Sequence, residues 1–202
     1  MFNLPLLNKA NELTVLRERN EKTRFERQHR DDSRTAIPPA AARDLERELR
    51  KCIEGEVRFD DGSRALYATD GSNYRQAPIG VVLPRSKEDV VQTMALAREY
   101  GAPILSRGGG TSLRGQCCNV AVVMDFTKYM RGVLNIDAQR RLGTVQPGCV
   151  LDDLRDAAKK HGLTFGPDPS THNHNALGGM LGNDSCGTHS LLAVKHGMGY
   201  RT

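Results

Sequence analysis

The stretch Pro103-Ile104-Leu105-Ser106-Arg107-Gly108-Gly109-Gly110-Thr111-Ser112 runs from a short apolar segment straight into three consecutive glycines. The apolar residues read as a strand and the glycines as the loop into which it empties. Glycine reaches positive φ and lets a ligand approach the main chain, and successive N–H groups in such a turn converge on an anion. Thr111 and Ser112 add hydroxyl donors, and Arg107 adds a guanidinium with bidentate geometry. A glycine run also serves as a plain flexible turn, so the stretch alone leaves both readings standing. It fits neither G-x-x-x-x-G-K-[ST] nor G-x-G-x-x-G with a downstream acid, which disfavours a P-loop NTPase and a dinucleotide-binding Rossmann domain.

Immediately upstream, Gly80-Val81-Val82-Leu83 reads as a buried strand closed by Pro84. Ser86 is placed to N-cap a helix with Glu88 and Asp89 in its first turn, an apolar stripe through Val90, Met94 and Ala97, and a stop at Gly101. With residues 103–105 as the next strand, this is a βαβ unit whose two strands run parallel. The glycine loop then lies at a strand's carboxyl end, where open α/β sheets bind ligands. Downstream, Val120-Ala121-Val122-Val123-Met124-Asp125 is a third buried strand. Residues 132–136 and 142–146, parted by a polar turn at 137–140, predict a hairpin. Pro147-Gly148 ends it, and the spacing of Leu151, Leu154, Ala157 and Ala158 predicts an amphipathic helix over 151–161, stopped at Gly162.

The N-terminal part is different in kind. Residues 11–34 are dense in charge with few apolar positions, which reads as a solvated helix or a disordered arm. Acidic residues interleave with the arginines and aromatics are scarce, which weighs against a nucleic-acid-binding arm. Ile37-Pro38-Pro39 punctuates the chain, and a helix is expected over 40–53 with Leu45, Leu49 and Ile53 on one face. The expected division is an arm and helix over residues 1–55 and a compact domain over 56–202.

A chain of 202 residues, 38% of them hydrophobic, can bury a sizeable core. Its formal charge of +5 suits an anionic ligand but bears on association and not on fold. No apolar run approaches the roughly 18 residues of a membrane-spanning helix, and the first residues lack a basic segment followed by an apolar core. The expected location is the cytoplasm, extending to the periphery of the inner membrane. The five cysteines, Cys52, Cys117, Cys118, Cys149 and Cys186, form no C-x-x-C, so reduced thiols are expected.

A second set of glycines and small polar donors follows the last helix. Gly166-Pro167-Asp168-Pro169-Ser170-Thr171 reads as a rigid turn, then come Gly178-Gly179 and Asn183-Asp184-Ser185-Cys186-Gly187-Thr188-His189. A long dinucleotide-like cofactor needs several such surfaces, because one loop cannot cover its pyrophosphate, ribose and rings. His172, His174, Cys186 and His189 could instead ligate a metal, but H-x-H and C-x-x-H match no standard zinc module, so no metal is expected and the histidines read as polar loop residues. Cys117-Cys118 reads as a tight packing position, and Asp152-Asp153 as carboxylates favouring a helix N-terminus.

Five segments in one order carry a resemblance: Asp70-Gly71-Ser72-Asn73-Tyr74-Arg75 ahead of Pro78; Arg107 to Ser112 with Gly115-Gln116; Val145-Gln146-Pro147-Gly148; Pro167-Asp168-Pro169; and Gly178-Gly179-Met180-Leu181-Gly182-Asn183-Asp184-Ser185-Cys186-Gly187. Together, over residues 56–195, they resemble the FAD-linked oxidases of the vanillyl-alcohol oxidase type, which share the PCMH-type FAD-binding domain. Within that group the chain is most similar to the bacterial glycolate oxidase and D-lactate dehydrogenase branch, especially its large fused members that carry iron–sulfur clusters. The resemblance implies an α+β fold with a small βαβ-type subdomain and a second, mixed or antiparallel, sheet subdomain, incomplete at its C-terminus.

It also implies FAD in an extended pose. The amides of Gly108, Gly109, Gly110 and Thr111, with the Ser112 hydroxyl, would surround the pyrophosphate, supported by Arg107, Gly115 and Gln116. Pro167, Asp168, Gly178, Gly179, Asn183, Ser185, Gly187 and His189 would line the rest of the cofactor. Relatives that attach FAD covalently through this loop have histidine where this chain has Thr111, so non-covalent FAD is expected. Asp184, where relatives usually have Asn, and Asn173-His174-Asn175 depart from the common pattern. The activity implied is hydride transfer from the α-carbon of a 2-hydroxy acid of the D-lactate or glycolate type to FAD. Relatives take the groups that bind the substrate carboxylate and deprotonate its hydroxyl from a substrate domain lying further along. The expectation for residues 1–202 alone is therefore an FAD-binding portion without independent catalysis, or a truncated fragment that holds FAD weakly, with no catalytic residue assigned.

Overall fold

The computed structural model describes residues 37–188. The charged arm at 11–34, His189 and the last residues lie outside this range. The described residues belong to the second of two compact units of the chain.

Helix α1, Pro39–Cys52, opens with proline at its first position, where the missing N–H breaks no helical bond, and buries Leu45 and Leu49 completely. Strand β1, Glu56–Arg58, and the short helix α2, Asp61–Leu66, follow, the latter capped by Asp60, whose carboxylate accepts from the Ser63 amide. Strand β2, Gly80–Leu83, is buried throughout, and helix α3, Lys87–Glu99, starts at Ser86 as the sequence predicts, with its hydroxyl accepting from the Asp89 amide. Strands β3, Ile104–Arg107, and β4, Val122–Asp125, complete a four-stranded sheet in the order β1-β2-β4-β3.

The sheet is mixed. Strand β1 lies antiparallel to β2, while β2 and β3 both run parallel to β4. The expected βαβ unit is therefore present in direction, but its two strands are not neighbours: β4 inserts between them. That insertion explains why β2 and β4 are apolar at nearly every position, since an inner parallel strand covered on both faces has no polar side. Val82 and Val122 face a cluster with Leu45, Leu49 and Ala97 from α1 and α3. Val81, Leu83 and Val123 face the opposite way, toward Tyr67, Leu105 and Tyr129.

The buried face of α3 departs from the sequence reading. The inward positions are Asp89, Thr93 and Ala97, while Met94 is 56% exposed. Polar residues face inward because each finds a partner there: Asp89 accepts from the Glu54 and Arg85 amides, and the Thr93 hydroxyl donates to the Asp89 carbonyl.

A second, smaller layer follows β4. Strands β5, Val133–Asp137, and β6, Leu142–Val145, form the expected antiparallel hairpin, and helices α4, Leu151–Lys159, and α5, Leu177–Gly182, complete it. Cys149, Leu151, Leu154, Leu177 and Met180 make its core, with Val133, Ile136, Val145 and Phe165 against them. The architecture is thus α+β, with a mixed sheet in one layer and an antiparallel hairpin in the other. No described helix is long and apolar enough to cross a membrane.

Candidate functional site

The register Arg107↔Asp125 brings β3 and β4 to an end side by side, and the Phe126 amide donates to the Arg107 carbonyl at 3.2 Å. Both strands therefore release their chains at one edge, where the second layer meets the sheet. The turn after β6 docks there, with the Gly148 amide donating to the Met130 carbonyl at 2.8 Å. The start of α5 is pinned in turn, since the Leu177 amide donates to the Cys149 carbonyl at 2.9 Å and the Gly178 amide to the Pro147 carbonyl at 2.8 Å. Segments far apart in sequence thereby converge on the glycine loop, residues 107–112.

The loop is braced from below. The Arg107 guanidinium donates to the carbonyls of Thr69 at 2.9 Å, Cys117 at 3.2 Å and Tyr67 at 3.3 Å, and lies over the Tyr67 ring at 5.2 Å. Its charge holds three main-chain oxygens and fixes the loop's two ends. The Ser112 hydroxyl donates to Gln116 Oε1 at 2.7 Å and accepts from the Arg114 amide at 3.2 Å, which closes the following turn. Asp70 ties the upstream segment to it, accepting from the Ser72 amide at 2.8 Å and the Cys117 amide at 3.1 Å. Desolvation pushes the Asp70 carboxyl up, but the hydrogen bonds from Ser72 and Cys117 outweigh it, and the group stays below its ordinary value.

Three hollows meet at Gly108. The smallest, about 60 Å³, is walled by Gly109, Gly110, Thr111 and Ser112 on one side and by Asn175 and Gly179 on the other. The second, about 380 Å³, runs from Arg107 and Gln116 across to Gly178, Gly179 and Asn183. Ser185 also lines the first. Most residues singled out in the sequence thus share one connected space. Four do not line these two walls. Gly115, at φ +72°, sits under the Tyr74 ring. The Pro167 carbonyl accepts from Arg155 at 3.0 Å. Asp168 and Gly187 pack together so tightly that a Cβ on Gly187 would come within 2.1 Å of the Asp168 carbonyl oxygen. His189 lies outside the described residues.

Two observations test whether this space suits an extended phosphate-bearing cofactor. A Cβ built on Gly179 or Gly182, both lining the second hollow, would meet no neighbouring atom of the described residues within 4 Å, so these positions leave the main chain bare on that side. Asn175, 4% exposed, has a side-chain oxygen without any hydrogen-bond partner among the described residues. An unpaired buried polar atom costs about 1–3 kcal/mol, which a polar ligand would relieve. Bare main chain, hydroxyls and an unmet polar group suit a phosphate-bearing ligand, and the site fits FAD.

The third hollow, about 620 Å³, opens on the far side of Gly108 and is lined by Tyr67, Asp125, Arg131 and His174. The Tyr67 hydroxyl donates to Asp125 Oδ2 at 2.6 Å, and burial, then the neighbouring Asp125 carboxylate, push the phenol well above its ordinary value. Sequence reasoning missed these residues, although Asp125 carries a signal, a carboxylate ending a fully buried strand. Tyr67 has no local signal, because its partner is distant in sequence.

The other residues named from the sequence are placed as follows. Among the described residues no group of three or more His, Cys, Asp or Glu is placed to hold a metal. Cys118 is buried and Cys117 half-buried, and desolvation raises both thiols above their ordinary value. Asp152 and Asp153 lie in the first turn of α4 as expected, but each also makes a longer-range contact, Asp152 with His172 Nδ1 at 2.7 Å and Asp153 with Arg131 at 3.5 Å.

Known proteins resemble this chain in sequence and in fold. The profile of the FAD binding domain family matches residues 78–198. The D-2-hydroxyglutarate dehydrogenase of Haemophilus influenzae is 37% identical over 142 residues, which is 69% of this chain and 14% of that protein. The glycolate oxidase subunit GlcD of Bacillus subtilis is 32% identical over 151 residues, 72% of this chain and 31% of that one. Among solved structures, alkyldihydroxyacetonephosphate synthase superposes with a TM-score of 0.66 at 27% identity, covering 74% of this chain and 30% of its own. The chain therefore spans between about one seventh and one third of the length of the relatives it matches. With the ordered motifs, the two-layer fold and the matched profile in agreement, the chain belongs to the FAD binding domain family of the PCMH and vanillyl-alcohol oxidase type.

Proposed function

We propose that this chain holds FAD non-covalently and forms the cofactor-binding portion of a flavin-dependent oxidoreductase acting on a 2-hydroxy acid. The observation that carries the reading is the convergence of the glycine loop, the turn after β6 and α5 on one connected hollow with bare main chain on both sides. The amides of residues 108–111 would face the pyrophosphate, and Gly178, Gly179, Asn183 and Ser185 would flank the remainder of the cofactor. When bound, FAD supplies a two-electron acceptor for the hydrogen leaving the substrate's α-carbon as the hydroxyl becomes a ketone. The chain's own residues bind and orient it and exclude water along the loop.

The groups at hand support the non-covalent reading. Thr111 offers neither imidazole nor thiol, and the Cys117 thiol that lines the hollow is pushed up by desolvation, which leaves it protonated and weakly nucleophilic at neutral pH. The substrate class is drawn from the relatives, one named for D-2-hydroxyglutarate and the other for glycolate, both 2-hydroxy acids. Purified chain reconstituted with FAD should show flavin absorbance near one equivalent, and acid precipitation should release all of it into the supernatant. Flavin left on the precipitate would overturn the non-covalent reading, and failure to take up FAD would overturn the cofactor reading itself.

A further inference from the structure

Asn175 is tied to Thr171 by backbone and side chain, but one end of its buried carboxamide is matched by none of the described residues. Its neighbours in sequence, Ala176 and Leu177, are apolar and buried, while its carboxamide is enclosed with one end unmatched. The side-chain nitrogen reaches Thr171 Oγ1 at 3.3 Å, a long contact, and the oxygen has no donor among the described residues. The residue lines the small hollow together with Gly109, Gly110, Thr111 and Ser112, and its backbone packs against Gly109. Its backbone is held rigidly, with its amide donating to the Thr171 carbonyl at 2.9 Å and a Cβ on Gly109 approaching within 3.3 Å of its Cα.

A carboxamide is nearly symmetric in shape, and a half-turn about its last bond exchanges acceptor for donor. In the turned state the oxygen stands at the same distance from Thr171 Oγ1, 3.3 Å, where it faces a hydroxyl that can donate, and the NH₂ group occupies the unmatched position. Phosphate oxygens only accept, so a donor is what a pyrophosphate lying on the glycine loop requires at that point. We infer that Asn175 is a side-chain ligand of the cofactor's pyrophosphate, its NH₂ donating to a phosphate oxygen while its oxygen is fixed by Thr171. This rests on the FAD reading and assigns to the cofactor a residue outside the glycine loop.

The test compares FAD, riboflavin, which lacks both phosphates, and inorganic pyrophosphate, on the wild-type chain, Asn175→Ala and the isosteric Asn175→Asp. Loss of a hydrogen bond to a charged group should weaken FAD roughly 10- to 100-fold in Asn175→Ala. Asn175→Asp should weaken it further, since a carboxylate cannot donate and repels the phosphates. Riboflavin affinity should be the same in all three, and pyrophosphate alone should raise the melting temperature of the wild-type chain more than that of either variant. Asn175→Ala without ligand should melt no lower than wild type, because it deletes an unmatched polar atom; if it fails to fold, Asn175→Asp carries the comparison. Equal FAD affinity in wild type and Asn175→Asp, or a parallel loss of riboflavin, would overturn the assignment and leave the FAD reading intact. A wild-type chain that binds neither flavin would overturn both.

Discussion

The two glycine-rich segments that face each other across the site are glycine-rich for opposite reasons. In the loop after β3 the glycines are demanded by the protein: a Cβ on Gly109 would lie 2.2 Å from the His174 carbonyl oxygen, one on Gly108 2.7 Å from the Ala176 Cβ, and Gly110 sits at φ +65°. In α5, Gly179 and Gly182 would carry a Cβ into open space, although Gly178 beneath Pro147 would not. One segment lacks side chains so that two layers of the fold can touch, and the other so that a space stays empty. A glycine-rich motif is therefore not one signal but two, one set by packing and one by bare surface.

The contrast can be broken by substitution. Gly109→Ala should cost about 3 kcal/mol or more of stability, because a backbone carbonyl cannot yield as a side chain can, and a urea unfolding curve would show it. Arg107→Gln should come next, losing about 2 kcal/mol as the guanidinium's bonds to three carbonyls go, again read from the urea midpoint. Gly179→Ala should move the other way, adding about 0.5–1 kcal/mol of helix stability while lowering FAD affinity by about tenfold. If it destabilises the fold, or leaves FAD binding as it was, the two segments do not differ in the way described.

The smallest effect serves as a control far from both segments. Hydrogen bonds from Lys128 and Tyr129 hold the Glu56 carboxyl down from 4.5 to about 2. A carboxyl depressed in the folded state contributes stability that is fully present above its unfolded value and is lost as the pH falls through the folded one. The urea midpoint should decline between about pH 4.5 and pH 2, and Glu56→Gln should flatten this part of the decline without changing FAD affinity at neutral pH.

What was legible in the sequence depended on how local its cause was. Strands β2 and β4 announce themselves as unbroken apolar runs, Ser86 as a cap, and the β5 and β6 pair as a hairpin around a polar turn. Strand β1 left no trace because only Val57 of its three residues is buried, and its Glu56 is met by Lys128 and Tyr129 from beyond β4. Met94 was placed inside and lies outside because apolar periodicity is blind to a buried aspartate that two amides satisfy. In the site, the residues of the glycine loop and α5 could be named from composition and order. Tyr67, Arg131 and Asn175 could not, since each matters through partners that only the folded chain brings near.

The sheet order carries a consequence for how the chain reaches this structure. Among the described residues strand β3, Ile104–Arg107, pairs only with β4, Val122–Asp125, which comes after it in the chain. A growing polypeptide that has not yet delivered Asp125 presents two unsatisfied strand edges, that of β2 and that of β3, with the glycine loop dangling from the second. Insertion of β4 closes both edges in one event and sets the loop at the same moment, so the cofactor cradle cannot precede the sheet.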